Sequence, residues 1–174
     1  MKASVVYESM FGNTARIARA IGAGLAERGV VVTIRNVDAV DPDEIAVADL
    51  LIVGGPTHAH GLSRDSTRQT ALDDEHNSFE EPTTGPGLRG WMDTLPDGAG
   101  RAAAAFDTRI GGAPAWLTGS AATHVATRLE ARGYRLAIEP GSFLVTRHNE
   151  LIDGEVERAT TWGSDVAGSM RVSR

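Results

Sequence analysis

The chain has 174 residues, of which 41% are apolar, and carries a formal net charge of −6 with no cysteine. That length suits one domain with a proper core. The charge excludes the basic face that nucleic acid or an anionic membrane surface needs, and the absent thiol excludes disulfides, thiolate metal sites, iron–sulfur clusters and cysteine nucleophiles.

Lys2 to Tyr7, with Val5 and Val6, reads as a buried strand. Ser9-Met10-Phe11-Gly12-Asn13-Thr14 follows as a hydroxyl- and glycine-bearing loop that opens a helix. Ile17, Ala18, Ile21 and Leu25 recur at helical spacing, and Gly29 ends the helix. Val30 to Ile34 is β-branched and reads as a second strand; Pro42, Asp43 and Glu44 mark a short helix start. Leu50-Leu51-Ile52-Val53 is the apolar run of a central parallel strand, stopped by Gly54-Gly55-Pro56. Residues 62–86 are polar. A helix over Ser63 to Glu75 would have a thin apolar face, so a solvated surface excursion is the favoured reading. Leu88 to Leu95 reads as a short helix carrying Trp91 and Met92.

Arg101 to Phe106 is alanine-rich. Propensity alone says helix, but its place between a Gly98–Gly100 break and Gly111-Gly112 says strand, and a fourth strand is expected. Thr118 to Arg132 is a helix with Val125 and Leu129 on one face, ended by Gly133. Tyr134 to Ile138 and Phe143 to Val145 make a fifth strand interrupted by Pro140-Gly141. Glu155 to Met170 is a last helix, capped by Asp153 and weakened by Gly163 and Gly168. No apolar run approaches the ~20 residues of a membrane span. Polar Glu8, Ser9 and Asn13 break any signal pattern at the N-terminus. The expected setting is cytoplasmic.

Strict alternation predicts an α/β chain, a single domain over 1–174 with a parallel sheet covered on both faces, and right-handed crossovers leave few topologies; the expected one is a doubly wound five-stranded parallel sheet in the order 2-1-3-4-5. Ligands in such a sheet sit beyond the strand carboxyl ends, at the switch between strands one and three. Three loops leave that edge, Ser9–Thr14, Pro56–Gly61 and Asp107–Pro114, and they are rich in Gly, Pro, Thr and His. The first is a phosphate seat, because the leading N–H groups of a helix lack internal partners and carry the positive end of its dipole.

Other motif readings fail on particular residues. G-x-x-x-x-G-K-[ST] is absent, which excludes a nucleoside triphosphate loop. Gly22 and Gly24 lie inside the first helix pattern and permit close packing. A receiver domain needs an aspartate ending strand three, where Gly54-Gly55 stands. A phosphatase of similar fold needs a cysteine in the first loop. His58-Ala59-His60 has a metal pair's spacing but no acidic or thiolate neighbour, so no metal is expected. His124 and His148 are expected on the surface and His76 in the polar excursion. Asp73-Asp74-Glu75 and Glu80-Glu81 read as solvated charges.

Ser9–Thr14 is similar to the loop that wraps the FMN phosphate in the flavodoxin family, in the SM-aromatic-GNT form of flavodoxin-like modules within larger flavoproteins. Gly55-Pro56-Thr57-His58-Ala59-His60-Gly61 looks like the second flavin loop, and Asp107-Thr108-Arg109 with the glycines beyond takes the place of the third. The chain thus resembles the flavodoxins and their quinone-reductase relatives over nearly its whole length, and the split fifth strand is similar to that of longer flavodoxins. The resemblance implies FMN as cofactor. Ser9, Met10, Phe11, Gly12, Asn13 and Thr14 would hold its phosphate and ribityl. Pro56, Thr57, His58 and Gly61 would flank its ring, and Phe106, Asp107, Thr108, Arg109 and Gly112 would approach its pyrimidine edge.

One departure stands out. Flavodoxins commonly sandwich the ring between Trp and Tyr, and neither loop core supplies that pair here. His58, His60, Phe11 and Trp116 are the nearest candidates, with Trp116 either stacking on the ring or seating its helix. A thin sandwich exposes the ring and works against a long-lived semiquinone. Arg109 turned inward would favour the reduced anionic ring; paired with Asp107 or solvent it would not. The implied function is electron transfer with a redox partner protein. The alternative is an NAD(P)H-dependent enzyme acting on a small quinone-like acceptor, with His58 or His60 as proton donor. A third reading, an interaction module without flavin, sits poorly with the intact first loop. Residues 62–86 folded over the ring would favour the enzyme; lying away, they favour the carrier.

Overall fold

Val5 and Val6 point to opposite faces of the sheet and enter two separate cores. They lie in β1 (Lys2–Tyr7) of the computed structural model, which describes residues 1–58, 61–74, 79, 81–112 and 119–172. β1 pairs in parallel with β2 (Val31–Asn36) on one side and β3 (Leu50–Pro56) on the other. β3 pairs with β4 (Ala102–Ile110), and β4 with both β5 (Arg135–Leu136) and β6 (Gly141–Val145), all in parallel. The order is β2-β1-β3-β4-β5, with β6 beside the far half of β4. β5 and β6 together are the interrupted fifth strand. Its break precedes Gly141, which opens β6 beneath the ring of Trp162.

The described helices divide between the two faces. α1 (Asn13–Glu27) and α6 (Glu155–Val172) cover one, packing Ile17, Ile21, Leu25, Ala159 and Val166 on Val5, Ile52, Phe106 and Phe143. α2 (Pro42–Ala46), α4 (Gly87–Thr94) and α5 (Ala121–Ala131) cover the other, packing Ile45, Leu88, Met92, Val125 and Leu129 on Val6, Leu51 and Val53. No helix among the described residues is long and apolar enough to cross a membrane.

Burial explains how β4 overrides its propensity. Ala102 to Ala105 are at most 3% exposed and lie between both helical layers. Small side chains let helices approach a central strand from both sides, which outweighs their intrinsic helical preference. Gly54-Gly55-Pro56 does not stop β3 as expected, because Gly54, Gly55 and Pro56 pair with Phe106, Asp107 and Thr108. Gly54 is needed there, since a Cβ would stand 2.3 Å from the Phe106 ring.

Two further expectations change. Gly163 marks the crossing of α1 and α6 rather than a weak point: its Cβ position is 2.3 Å from the Ile21 carbonyl oxygen, and that of Gly24 is 1.9 Å from the Thr160 carbonyl oxygen. The cap of α6 is Gly154, at φ +85°, whose carbonyl accepts the Arg158 N–H; Asp153 lies before it. Residues 62–86 are also more than a solvated excursion. They hold α3 (Asp65–Leu72), and Leu62, Ser63, Arg68, Ala71 and Thr83 are buried. α3 is anchored by a buried guanidinium, that of Arg68, which donates to Ser63 Oγ and pairs with Asp65. An apolar-periodicity argument does not register such an anchor.

Candidate functional site

The carboxyl ends of β1, β3 and β4 come together around a cavity of about 200 Å³. At its base, the chain leaves β1 through Glu8 to Phe11 and turns into α1 at Gly12, the N-cap residue, with φ +84°. Gly12 offers no capping side chain, and the first turn of α1 holds no acidic residue. No acid of the first turn therefore offsets the positive end of the helix dipole. Ser9 Oγ stands 3.4 Å from the Ala15 N–H, and Thr14 Oγ1 shares a 2.8 Å hydrogen bond with Thr108 Oγ1. Asn13 Nδ2 donates to the Asn149 carbonyl at 2.7 Å, closing one wall.

A second segment braces this loop. The Thr83 N–H donates to the Ser9 carbonyl at 2.9 Å, and the Ser9 N–H donates to Thr83 Oγ1 at 3.1 Å. The Phe79 ring lies over Gly12, 2.9 Å from where a Cβ would project. The part of 62–86 that meets the first loop thus supports it, and Phe79 and Asp74 line a second space with Phe11, Gly12, Asn13 and Asn149 at the start of α1.

Asp107 ties the opposite wall together. Its carboxylate is fully buried and accepts from the Thr57, Ser120 and Ser142 hydroxyls and the Ala122 N–H. Thr57 Oγ1 in turn accepts the Ala121 N–H at 2.9 Å, and Arg109 Nε donates to Ser142 Oγ at 2.9 Å. One carboxylate therefore fixes the β3 loop, the start of α5, β6 and, through Ser142, the Arg109 guanidinium. Asp107→Asn turns one acceptor oxygen into a donor facing other donors. We expect it to lower the unfolding free energy by about 2 kcal/mol, as read from denaturant titration.

His58 lines the cavity above this knot. Its backbone exchanges two 2.8 Å hydrogen bonds with Gly61, which pinches the loop shut. Burial lowers the imidazole pKa below 6.5; the Glu8 carboxylate opposes this and the Arg68 guanidinium adds to it. Below pH 6.5 the unfolded chain binds a proton that the folded chain refuses, so stability falls with pH until the folded-state pKa is reached; above 6.5 the term vanishes. In His58→Asn that part of the acid slope is expected to disappear, as checked by denaturation midpoints measured on either side of 6.5.

The cavity brings together Ser9, Met10, Phe11, Asn13, Thr14, Pro56, Thr57, His58, Thr108 and Arg109 from the sequence-based set. Gly12, Gly61 and Gly112 shape the loops through their backbone: Gly12 and Gly112 have positive φ and Gly61 closes the turn with His58. Phe106 and Asp107 are corrections. The Phe106 ring is wholly buried against Phe143 and the face of Gly54, and the Asp107 carboxylate points into the knot just described. The third loop begins later than expected, because β4 runs through Ile110. His60, Trp116 and His76 lie outside the described residues. Ile110, Val145 and Asn149 line the cavity without having been anticipated. Asn149, at φ +58°, offered only a weak signal, as a residue tolerant of left-handed turns in a polar stretch.

Comparison with known proteins agrees with this fold. The family model described as Flavodoxin matches residues 5–106, from β1 into β4. A putative diflavin flavoprotein A 4 of Synechocystis sp. is 44% identical over 61 residues, which cover 33% of this chain and 10% of that protein. The chain spans about one tenth of the curated relatives it matches. A flavodoxin from the domain Archaea superposes with a TM-score of 0.69 at 23% identity, covering 98% of this chain and 99% of that one. Oxidised flavodoxin 1 of Bacillus cereus superposes with a TM-score of 0.69 at 21% identity, covering 97% and 98%.

Proposed function

Because the chain belongs to the flavodoxin family, we propose that it binds FMN where β1, β3 and β4 end and serves as an electron carrier for a redox partner protein. The observation that carries this reading is the start of α1. A helix N-terminus at a left-handed Gly12, with no N-cap side chain and with the Ser9 and Thr14 hydroxyls beside it, opens on a cavity rimmed by His58 and Arg109. Backbone N–H groups and the helix dipole suit a dianionic phosphate, and the two hydroxyls extend the seat.

When bound, FMN supplies the one- and two-electron chemistry. This chain's residues position and tune it. Ser9, Asn13 and Thr14 hold the phosphate and ribityl end. Pro56, Thr57 and His58 form the wall on the β3 side, and Arg109, held by Ser142, brings positive charge to the rim. About 200 Å³ is below the ~300–1,000 Å³ of most small-ligand pockets, so the described walls of this cavity enclose only part of a mononucleotide.

The place of the described residues of 62–86 favours the carrier over the quinone-reducing enzyme. None of the described residues among 62–86 lines the cavity. Phe79 and Thr83 meet the phosphate loop instead, Phe79 over Gly12 and Thr83 on the Ser9 backbone. The test is direct. FMN fluorescence should be quenched on titration with the apoprotein. The loaded protein should accept electrons from an added reductase while oxidising neither NADH nor NADPH by itself. Steady turnover of either nucleotide with a quinone would select the enzyme, and unquenched FMN would refute both.

A further inference from the structure

Among the described residues, three buried side-chain polar atoms lack a hydrogen-bond partner: Ser4 Oγ, Glu8 Oε1 and His58 Nε2. The last two belong to one cluster behind the cavity wall. Glu8 is 0% exposed. It follows β1 directly, and its Cβ is 3.6 Å from the position a Cβ would take on Gly55, three residues before His58. Its other oxygen, Oε2, accepts the Leu88 N–H at 2.8 Å, in the first turn of α4. That oxygen and Arg68 Nη1 each lie 2.6 Å from the Cβ position of Gly87. The charges of Glu8 and Arg68 are both felt at the His58 imidazole.

The two orphaned atoms are chemically complementary. A carboxylate oxygen only accepts, and a neutral imidazole donates from whichever nitrogen carries its proton. Enclosed polar atoms are seldom left without a partner, and a single water with polar neighbours often completes such a set. We propose that Glu8 and His58 form a buried acid–base pair in which the free carboxylate oxygen accepts the Nε2–H hydrogen bond across one enclosed water, and that this pair loads a proton beside the cavity.

The consequences follow from the chemistry of the ring. With Nε2–H held by Glu8, Nδ1 is the nitrogen that takes up a proton. That proton comes from solvent, one N–H bond forms and no electron moves. Glu8 favours the resulting imidazolium, while burial and the Arg68 guanidinium oppose it. Among the described residues, the other charged or titratable groups nearby are engaged elsewhere or lie across the loop. Arg89 of α4 donates to the Leu62 and Ser63 carbonyls, and Asp107 of β4 is taken up by its knot. His124 of α5 faces Gly61, with Nδ1 2.8 Å from that residue's Cβ position. Glu8 is thus a positioning residue acting through His58. The pair itself does not depend on a flavin; its use as a proton source for a bound redox group rests on the function proposed above.

The apoprotein tests the pair by itself. In imidazole ¹⁵N spectra, Glu8→Gln should lower the His58 titration midpoint by at least about half a pH unit, and Arg68→Met should raise it. Gln keeps an oxygen for the Leu88 N–H, which preserves the start of α4. An unchanged midpoint in a folded Glu8→Gln protein overturns the proposal. The wild-type chain provides a check that needs no variant: the ¹³C carboxyl resonance of Glu8 must move in step with His58 protonation, and a static resonance also overturns it. In the FMN-loaded protein, the pH dependence of the midpoint potential should break at the His58 midpoint and shift with it in Glu8→Gln. If FMN does not bind, the apoprotein spectra still decide the pair, so the two failures are told apart.

Discussion

Thr14→Asp is expected to abolish FMN binding while leaving the fold in place. Thr14 is the second residue of α1 and lines the cavity. A carboxylate there faces the phosphate across a short gap. At an effective dielectric of about 20, one pair of like charges at roughly 4 Å costs about 4 kcal/mol, which corresponds to about a thousandfold loss of affinity. Acidic residues in the first turn favour the helix dipole, which offsets the loss of the 2.8 Å hydrogen bond to Thr108. Thr14→Val separates the two effects. It gives up the same hydrogen bond, worth about 1 kcal/mol, adds no charge, and should weaken binding only modestly. Fluorescence titration with FMN reads both variants. Wild-type affinity in Thr14→Asp would mean that the phosphate does not sit at this loop.

Gly24→Val is expected to produce the largest loss of stability. The Cβ position of Gly24 lies 1.9 Å from the Thr160 carbonyl oxygen and 2.9 Å from the Ser164 nitrogen, both backbone atoms. Neither can rotate away as a flexible side chain would. α1 and α6 must separate, and the contacts of Ile21, Ala159 and Val166 in the core beneath them loosen. We expect a cost of at least about 3 kcal/mol, a large share of the ~5–15 kcal/mol that stabilises a typical domain. Gly168→Ala is the counterpart on α6. Nothing lies within 4 Å of its Cβ position, so the substitution should stabilise the protein by about 0.5–1 kcal/mol through helix propensity alone. Urea unfolding of the three proteins should give midpoints in the order Gly168→Ala, wild type, Gly24→Val. Equal midpoints for Gly24→Val and wild type would contradict the close crossing of these helices.

The elements that were legible beforehand share a cause. Val5 and Val6, Leu50 to Val53, and the Ile17, Ile21, Leu25 series carry their own periodicity, and Gly29 and Gly133 adopt the positive φ that ends a helix. The phosphate loop was legible because its groups are contiguous: Ser9, Gly12 and Thr14 act together without a distant segment. α3 was passed over because its anchor is a buried arginine and not an apolar stripe. Asp107 is placed at the cavity by the resemblance to the third flavin loop alone. Here the Thr57, Ser120 and Ser142 hydroxyls draw it in from three other segments.

Local pattern by itself determined the strand and helix sequence, the parallel order of the sheet and the turn that opens α1. Period and turn chemistry act over a few residues, and the chain must satisfy them wherever it goes. Folding decided the rest: that Phe106 serves the core, that Thr83 and Phe79 buttress the first loop, and that Glu8 meets His58 and Arg68 behind the cavity. These depend on which side of a strand a residue faces and on which remote segment arrives opposite it. A shift of one residue in register reverses that facing, and no local run of residues encodes the neighbour on the other side.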